Sequence, residues 1–211
     1  MNWNNIERPW QVAFEQGWQA FRKGSIPIGA VITDENGDII SIGRNKLYEN
    51  ETLNPKIAHA EMECLLNLDV LKYPKVREYT IYTCMEPCPM CFGTIVMSNI
   101  RKVKIASRDS YCGAAHYCED DPYIASKNMQ VSFERGILET VQLVLQTYFE
   151  LRAHAGELNK VAKVFQEDNP CAVKIAEEFY KDRYLDMCVE KEMELSEIFH
   201  AIASRLKSGF D

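Results

Sequence analysis

Two short segments constrain this chain more than anything else in it: His59-Ala60-Glu61 and Pro87-Cys88-Pro89-Met90-Cys91. Histidine nitrogen and cysteine sulfur are the donors of a zinc site. Cys88 and Cys91, in the first turn of a helix that Pro87 opens, put both sulfurs on one helix face. His59 opens another helix. Any fold of this chain must therefore bring two helix starts together, with the β-rich run of residues 80–84 between them. The partial positive charge of a helix N-terminus favours thiolate, the form that binds metal. Three protein ligands leave one tetrahedral position open to water, and zinc lowers the pKa of such a water from about 15.7 to about 7. Glu61 is not needed as a ligand and stands close enough to His59 to move a proton at the same site.

A lone Cys-x-x-Cys can also be redox-active or structural. Cys84, as a fourth ligand, would close the metal and make the site structural. It belongs to the preceding strand, so it reads as a small buried hydrophobe. Cys64, Cys112, Cys118, Cys171 and Cys188 have no ligand partner at useful spacing and read the same way. His116, His154 and His200 read as surface or packing residues, with His116 in a loop near the pocket.

Apolar periodicity predicts the surrounding elements. Trp10, Phe14, Trp18 and Phe21 recur at helical spacing within residues 7–23 and mark a core-facing stripe. Residues 28–33 and 39–43 form a hairpin about a turn at 34–38, where Asn36-Gly37 suits positive φ. A polar loop (44–56) leads to the helix at His59, whose apolar side chains are Met62, Leu65, Leu66 and Leu68. The second helix runs to about residue 98, followed by strands at 102–106 and 130–133 and a long helix over 136–153. This order predicts an α/β sandwich on a mixed sheet. From residue 156 onward no strand pattern occurs. Asn169-Pro170 starts a helix, and the stripe through Val173, Ala176, Phe179, Tyr180, Tyr184, Met187, Cys188, Ile198, Phe199 and Ile202 needs burial. The expected division is a catalytic domain at 1–155 and a helical extension at 156–211, packed on that domain or on a second subunit.

Composition sets outer limits. The net charge is −7 over 211 residues, and a nucleic-acid binder usually shows a basic surplus or patch. The one basic cluster, Arg101, Lys102, Lys104 and Arg108, reads as a solvated strand edge. Residues 1–8 lack the pattern of a signal peptide, and no apolar run reaches membrane-spanning length. Eight cysteines in a chain too large to need disulfide staples suit a reducing, cytoplasmic setting.

The His-x-Glu and Pro-Cys-x-x-Cys segments together resemble the signature of zinc nucleobase deaminases. The stretch 10–152 resembles the cytidine and deoxycytidylate deaminase superfamily, and within it the branch of tRNA adenosine deaminases and guanine deaminases. The matching segments are Ile26-Pro27-Ile28-Gly29-Ala30-Val31, Gly43-Arg44-Asn45, His59-Ala60-Glu61, Glu86-Pro87-Cys88-Pro89-Met90-Cys91, and Arg108-Asp109 with Gly113-Ala114-Ala115. The resemblance implies a cytidine deaminase-like α/β/α sandwich, a Zn2+ cofactor, a homodimer, and hydrolytic release of ammonia from a cyclic amidine. It implies that Asn45 bonds the base or its sugar and that the Ala60 N–H contacts the base. The Cys88 N–H would steady the reacting oxygen. Pro27, Ile28 and Pro87 would wall the pocket, and Asp109 would lie near the substrate. Phe149 matches an aromatic pair of the last helix that can equally be core.

The chain departs from the tRNA-type pattern after Asp109, where Ser110-Tyr111-Cys112 replaces a small residue and a lysine. Glu119, Asp120 and Asp121 suit phosphates badly, and the tail is acidic. A free base or nucleoside demands no basic surface. The sequence therefore favours deamination of a small molecule, a purine base or nucleoside, over a tRNA adenosine deaminase. A non-catalytic zinc module is the remaining alternative.

Overall fold

The computed structural model describes residues 2–50 and 53–208. Helix α1 (Arg8–Arg22) carries the aromatic stripe inward, with Trp10, Phe14, Trp18 and Phe21 all buried. Burying each such side chain contributes about 1.5–3 kcal/mol. Gly24, at φ +82°, ends the helix in a conformation glycine adopts freely. Strands β1 (Gly29–Thr33) and β2 (Ile39–Arg44) form the expected hairpin. In its turn Asp34 Oδ1 accepts from the N–H groups of Asn36 and Asp38, both at 2.9 Å.

Then follow α2 (Ala60–Leu66), β3 (Thr80–Met85), α3 (Pro89–Met97) and β4 (Lys102–Ser107). Two short helices, α4 (Tyr117–Asp120) and α5 (Pro122–Ala125), precede β5 (Gln130–Phe133) and the long α6 (Gly136–Ala153). The sheet order is β2-β1-β3-β4-β5. β1 is antiparallel to β2 and β3, while β3, β4 and β5 are parallel. Side-chain alternation divides each strand between two layers. Val31, Tyr82 and Ala106 meet α1 and α6. Ala30, Ile32, Ile81, Val103 and Ile105 meet α2 and α3. This is the expected α/β/α sandwich on a mixed sheet.

Two glycines permit the layers to close. A Cβ on Gly29 would stand 1.9 Å from the Ala13 carbonyl oxygen of α1. One on Gly43 would stand 2.3 Å from both the Ala60 carbonyl oxygen and the Cys64 nitrogen of α2. No larger residue lets either helix lie so close to the hairpin.

The tail forms α7 (Lys160–Asp168), α8 (Pro170–Lys181), α9 (Tyr184–Glu190) and α10 (Leu195–Ser208). Asn159 and Asn169 cap α7 and α8, each accepting from a backbone N–H in the first turn. Arg183, in the left-handed region, separates α8 from α9. Val173, Ala176, Phe179, Ile198, Phe199 and Ile202 are buried in one cluster with Trp18, Phe21 and Tyr148. Polar contacts fix the tail further. Trp18 Nε1 donates to the Met193 carbonyl at 3.0 Å, and Tyr148 Oη donates to Asp186 Oδ2 at 3.0 Å.

Four local expectations need correction. Pro89, not Pro87, occupies the first position of α3, and Cys88 is its N-cap. In α2 the inward face is Ala60, Glu61 and Cys64, while Leu66 is 73% exposed. The helix is too short to bury both its leucines and the site residues, and contact with β2 takes precedence. Cys112 is exposed, and Cys118 and Cys171 are half-buried, rather than buried. Within residues 109–128, which carry no long apolar period, lie α4 and α5.

Candidate active site

Two helix N-termini converge at the end of β3. His59 is the N-cap of α2 and Cys88 the N-cap of α3. His59 Nδ1 lies 3.6 Å from Cys88 Sγ and 3.6 Å from Cys91 Sγ. The ligand atoms of all three lie within 4.8 Å of one another, and among the described residues no other histidine, cysteine or carboxylate group gathers in this way. Zinc bonds of about 2.3 Å to sulfur and about 2.0–2.1 Å to nitrogen, at a tetrahedral angle, separate N from S by about 3.6 Å. The donors therefore fit zinc in type and in spacing. Cys84, fully buried in β3, and Cys64, fully buried in α2, are outside the group.

Electrostatics support a ligand role. The hydrogen bond from the Cys91 thiol, followed by contact with His59, pulls the Cys88 thiol down to about 4. The same contact pushes Cys91 upward. A divalent cation bound there would take the place of the thiol proton. The His59 imidazole is raised, chiefly by its bond to Cys88.

Glu61, in the first turn of α2, is 4% exposed. Its carboxylate is near enough to Cys91 to contribute to the upward shift of that thiol. Burial raises the Glu61 carboxyl above its ordinary value, opposed by the hydrogen bond from Thr83. Thr83 Oγ1 is 2.8 Å from Glu61 Oε1. A buried carboxyl with a raised proton affinity, beside a candidate ligand set to which it does not belong, has the properties of a general acid and base.

The other predicted residues surround this centre. Asn45, 1% exposed, follows β2; its N–H donates to the Ile28 carbonyl, and its Oδ1 accepts from Leu47 N–H at 2.9 Å. Arg44 clamps the same loop through Glu49, with Nη2 donating to Oε2 at 2.9 Å. Pro27 is buried and Ile28 half-buried, with the Pro27 carbonyl accepting from Gln142 Nε2 at 3.1 Å. Ala60 and Pro87 are buried. Asp109 is engaged on both oxygens. Oδ1 accepts from the N–H groups of Tyr111 and Cys112, and Oδ2 accepts from the Cys112 thiol.

The sequence assigned no role to two residues. Glu86 hangs the loop beside the site: Oε2 accepts from Asp109 N–H at 3.2 Å and Oε1 from Ala115 N–H at 3.0 Å. Its signal was an acid placed directly before Pro87. Thr83 gave no signal, because threonine is ordinary in a strand. A cavity of about 790 Å³, lined by Glu86, Arg108, Cys112, His116 and Phe133 among others, flanks the centre without including the ligands. The ligand geometry, not the size of the hollow, locates the chemistry.

Comparison with known proteins agrees with this geometry. The family described as "Cytidine and deoxycytidylate deaminase zinc-binding region" matches residues 4–107. The tRNA-specific adenosine deaminase of Aquifex aeolicus (strain VF5) is 34% identical over 147 residues, 66% of this chain and 91% of that protein. The cytosine deaminase of Candida albicans is 30% identical over 103 residues, 49% of this chain and 67% of that protein. A solved structure from a study of A-to-I editing by tRNA:A34 deaminases superposes with a TM-score of 0.51 at 23% identity, covering 63% of this chain and 94% of that one. That likeness supports the fold. The chain belongs to the cytidine and deoxycytidylate deaminase family and is a zinc-binding hydrolytic deaminase of nucleobases or nucleosides.

Proposed function

We propose that the substrate is a free purine base or nucleoside, released as the corresponding oxo compound and ammonia. The observation that carries this is the covering of α6. Tyr148 is fully buried and Phe149 is 6% exposed. Arg152 lies over the rings of Phe21 and Phe149 and is tied to Asp186 of α9. An aromatic pair sheathed in this way offers no stacking surface to a splayed RNA loop. The tail over it carries twelve acidic and eight basic side chains from residue 156 onward. Three of the four cations of the basic cluster are engaged elsewhere, while Arg108 is exposed and lies over the Phe133 ring beside the cavity. Arg101 caps α3 through the Val96 carbonyl and Asn99, Lys102 bonds the Glu78 carbonyl, and Lys104 pairs with Glu7. Binding to a phosphodiester chain draws on accessible cations.

In this reading Asn45 and the Ala60 N–H hold the base, with Pro27, Ile28 and Pro87 as walls. Asp109 shapes the loop beside the base. Bound zinc supplies a water acidic enough to ionise near neutral pH. Glu61 would take one proton from the water and pass it to the ring nitrogen, then take the second from the hydroxyl of the adduct and pass it to the departing amine. A C–O bond forms, the bond to the exocyclic nitrogen breaks, and the Cys88 N–H at the start of α3 favours the developing negative charge. Homodimerisation and a cytoplasmic setting complete the proposal. The eight cysteines are all free, which suits a reducing compartment. No helix among the described residues is long and apolar enough to cross a membrane.

One finding favours a second reading, A-to-I deamination of tRNA. Relatives at 30–36% identity are tRNA-specific adenosine deaminases. An ammonia-release assay across guanine, adenine, adenosine, guanosine, cytosine and a tRNA anticodon stem-loop separates the two. Turnover of a free purine is expected. Release from the stem-loop alone would replace the first reading with the second.

A further inference from the structure

Thr83 stands where packing alone would favour a hydrocarbon. Its partners across the sheet are Ala30 and Ile105, and Ile81 precedes it on the same face of β3. All four residues are fully buried. Valine would fill the same space, and a hydroxyl buried there costs free energy unless it is hydrogen-bonded. The hydroxyl has two partners. Oγ1 lies 2.8 Å from Glu61 Oε1 and 3.0 Å from the Met85 carbonyl oxygen.

We propose that Thr83 is a positioning residue for the deamination, fixing the Glu61 carboxyl at the angle from which it exchanges protons with the reacting groups. Glu61 has three side-chain torsions, and its own N–H and the Cys91 sulfur, both at helix starts, also reach its carboxyl. The hydroxyl anchors one carboxyl oxygen to the rigid centre of the sheet, because β3 is flanked by β1 and β4. Its geometry serves Glu61 in both of its working forms. A hydroxyl has one proton and two lone pairs. It donates to the charged carboxylate, or it accepts from the protonated carboxyl while its own proton turns to the Met85 carbonyl. The inference rests on the assignment of Glu61 as the group that moves the proton.

The test compares Thr83→Val, Thr83→Ser and Glu61→Gln in the zinc-loaded full chain, with ammonia release from the same bases, nucleosides and stem-loop as readout. Thr83→Val keeps the shape and removes the donor. The expected result is a kcat lowered by about 10- to 100-fold, the range for a hydrogen bond to a charged group. KM, zinc content and Tm are expected to stay near wild type, and Thr83→Ser is expected to recover most of the loss. A second readout needs no substrate. The infrared carboxyl band that Glu61→Gln removes is expected to move in Thr83→Val and not in Thr83→Ser. A wild-type kcat in Thr83→Val would overturn the inference. So would an equal loss in Thr83→Ser, which would assign the effect to the methyl group, or a loss of zinc in Thr83→Val. If Glu61→Gln itself retains turnover, the assignment of Glu61 fails. If Glu61→Gln is inactive and Thr83→Val is not, only the role of Thr83 fails.

Discussion

The sheet half and the helical tail of this protein are stabilised by different means. In the sheet half, polar and ionisable groups are carried deep into the core. Glu61, Glu86, Thr83 and Asn45 are all buried, each with at least one hydrogen bond. In the tail, the interior is hydrocarbon and aromatic. Phe165, Phe179, Phe199, Ile198 and Ile202 are sealed in, and the polar anchors lie at the margins. Buried polar groups cost stability and supply chemistry, whereas buried aromatics supply stability alone. In the function proposed above, the tail would limit what is bound through its cover over α6, without touching the reacting atoms.

Removing a ligand should break the comparison most completely. Cys91→Ala is expected to abolish both bound zinc and ammonia release, while far-UV circular dichroism retains the helical signal of the tail. Metal analysis and the assay on one preparation check this. Zinc retained in Cys91→Ala would remove that residue from the ligand set.

Glu61→Gln comes next. Turnover is expected to fall by about 10²- to 10⁴-fold, the range for a general acid and base, with zinc retained. Its stability should move the other way. Burial raises the Glu61 carboxyl in the folded state, so the folded form holds its proton more tightly than the unfolded chain does. The stability associated with that proton is complete at pH values below the ordinary carboxylate range and is lost as pH rises through the raised value. Glutamine has no such proton to lose. At neutral pH, in metal-free protein, the Tm of Glu61→Gln should equal or exceed that of wild type, and a lower Tm would argue against burial as the cause.

The tail should show the opposite pattern. Phe199→Ala is expected to cost about 3–5 kcal/mol in denaturant unfolding, with kcat per folded molecule and zinc content unchanged. Tyr148→Phe, which removes the hydroxyl bonded to Asp186, should cost only about 0.5–1.5 kcal/mol. A loss of kcat in Phe199→Ala at full folding would show that the two regions are coupled.

The two regions also differed in legibility. His59, Cys88, Cys91 and Glu61 could be read because metal chemistry demands those atoms at that spacing, whatever the fold. The aromatic stripe of α1 and the alternation of β1 were legible because one face of each is buried. The role of Leu66 was misread, since the seven-residue α2 turns Ala60, Glu61 and Cys64 toward the sheet and leaves Leu66 outside. Glu86 and Thr83 act through contacts with residues 22 to 29 positions away, and sequence spacing carries no trace of such partners. The tail stripe showed that a surface needed covering, but not that α6 and α1 of the same chain would supply much of the cover.

The central claim is that the sheet half supplies deaminase chemistry while the tail restricts it to small substrates. Its most direct test is kcat/KM for free purine bases and nucleosides beside a tRNA anticodon stem-loop, measured on one preparation over a range of salt. The account predicts turnover of a free purine with little dependence on salt, and a stem-loop rate at least tenfold lower. Preferential turnover of the stem-loop, falling steeply as salt increases, would contradict it.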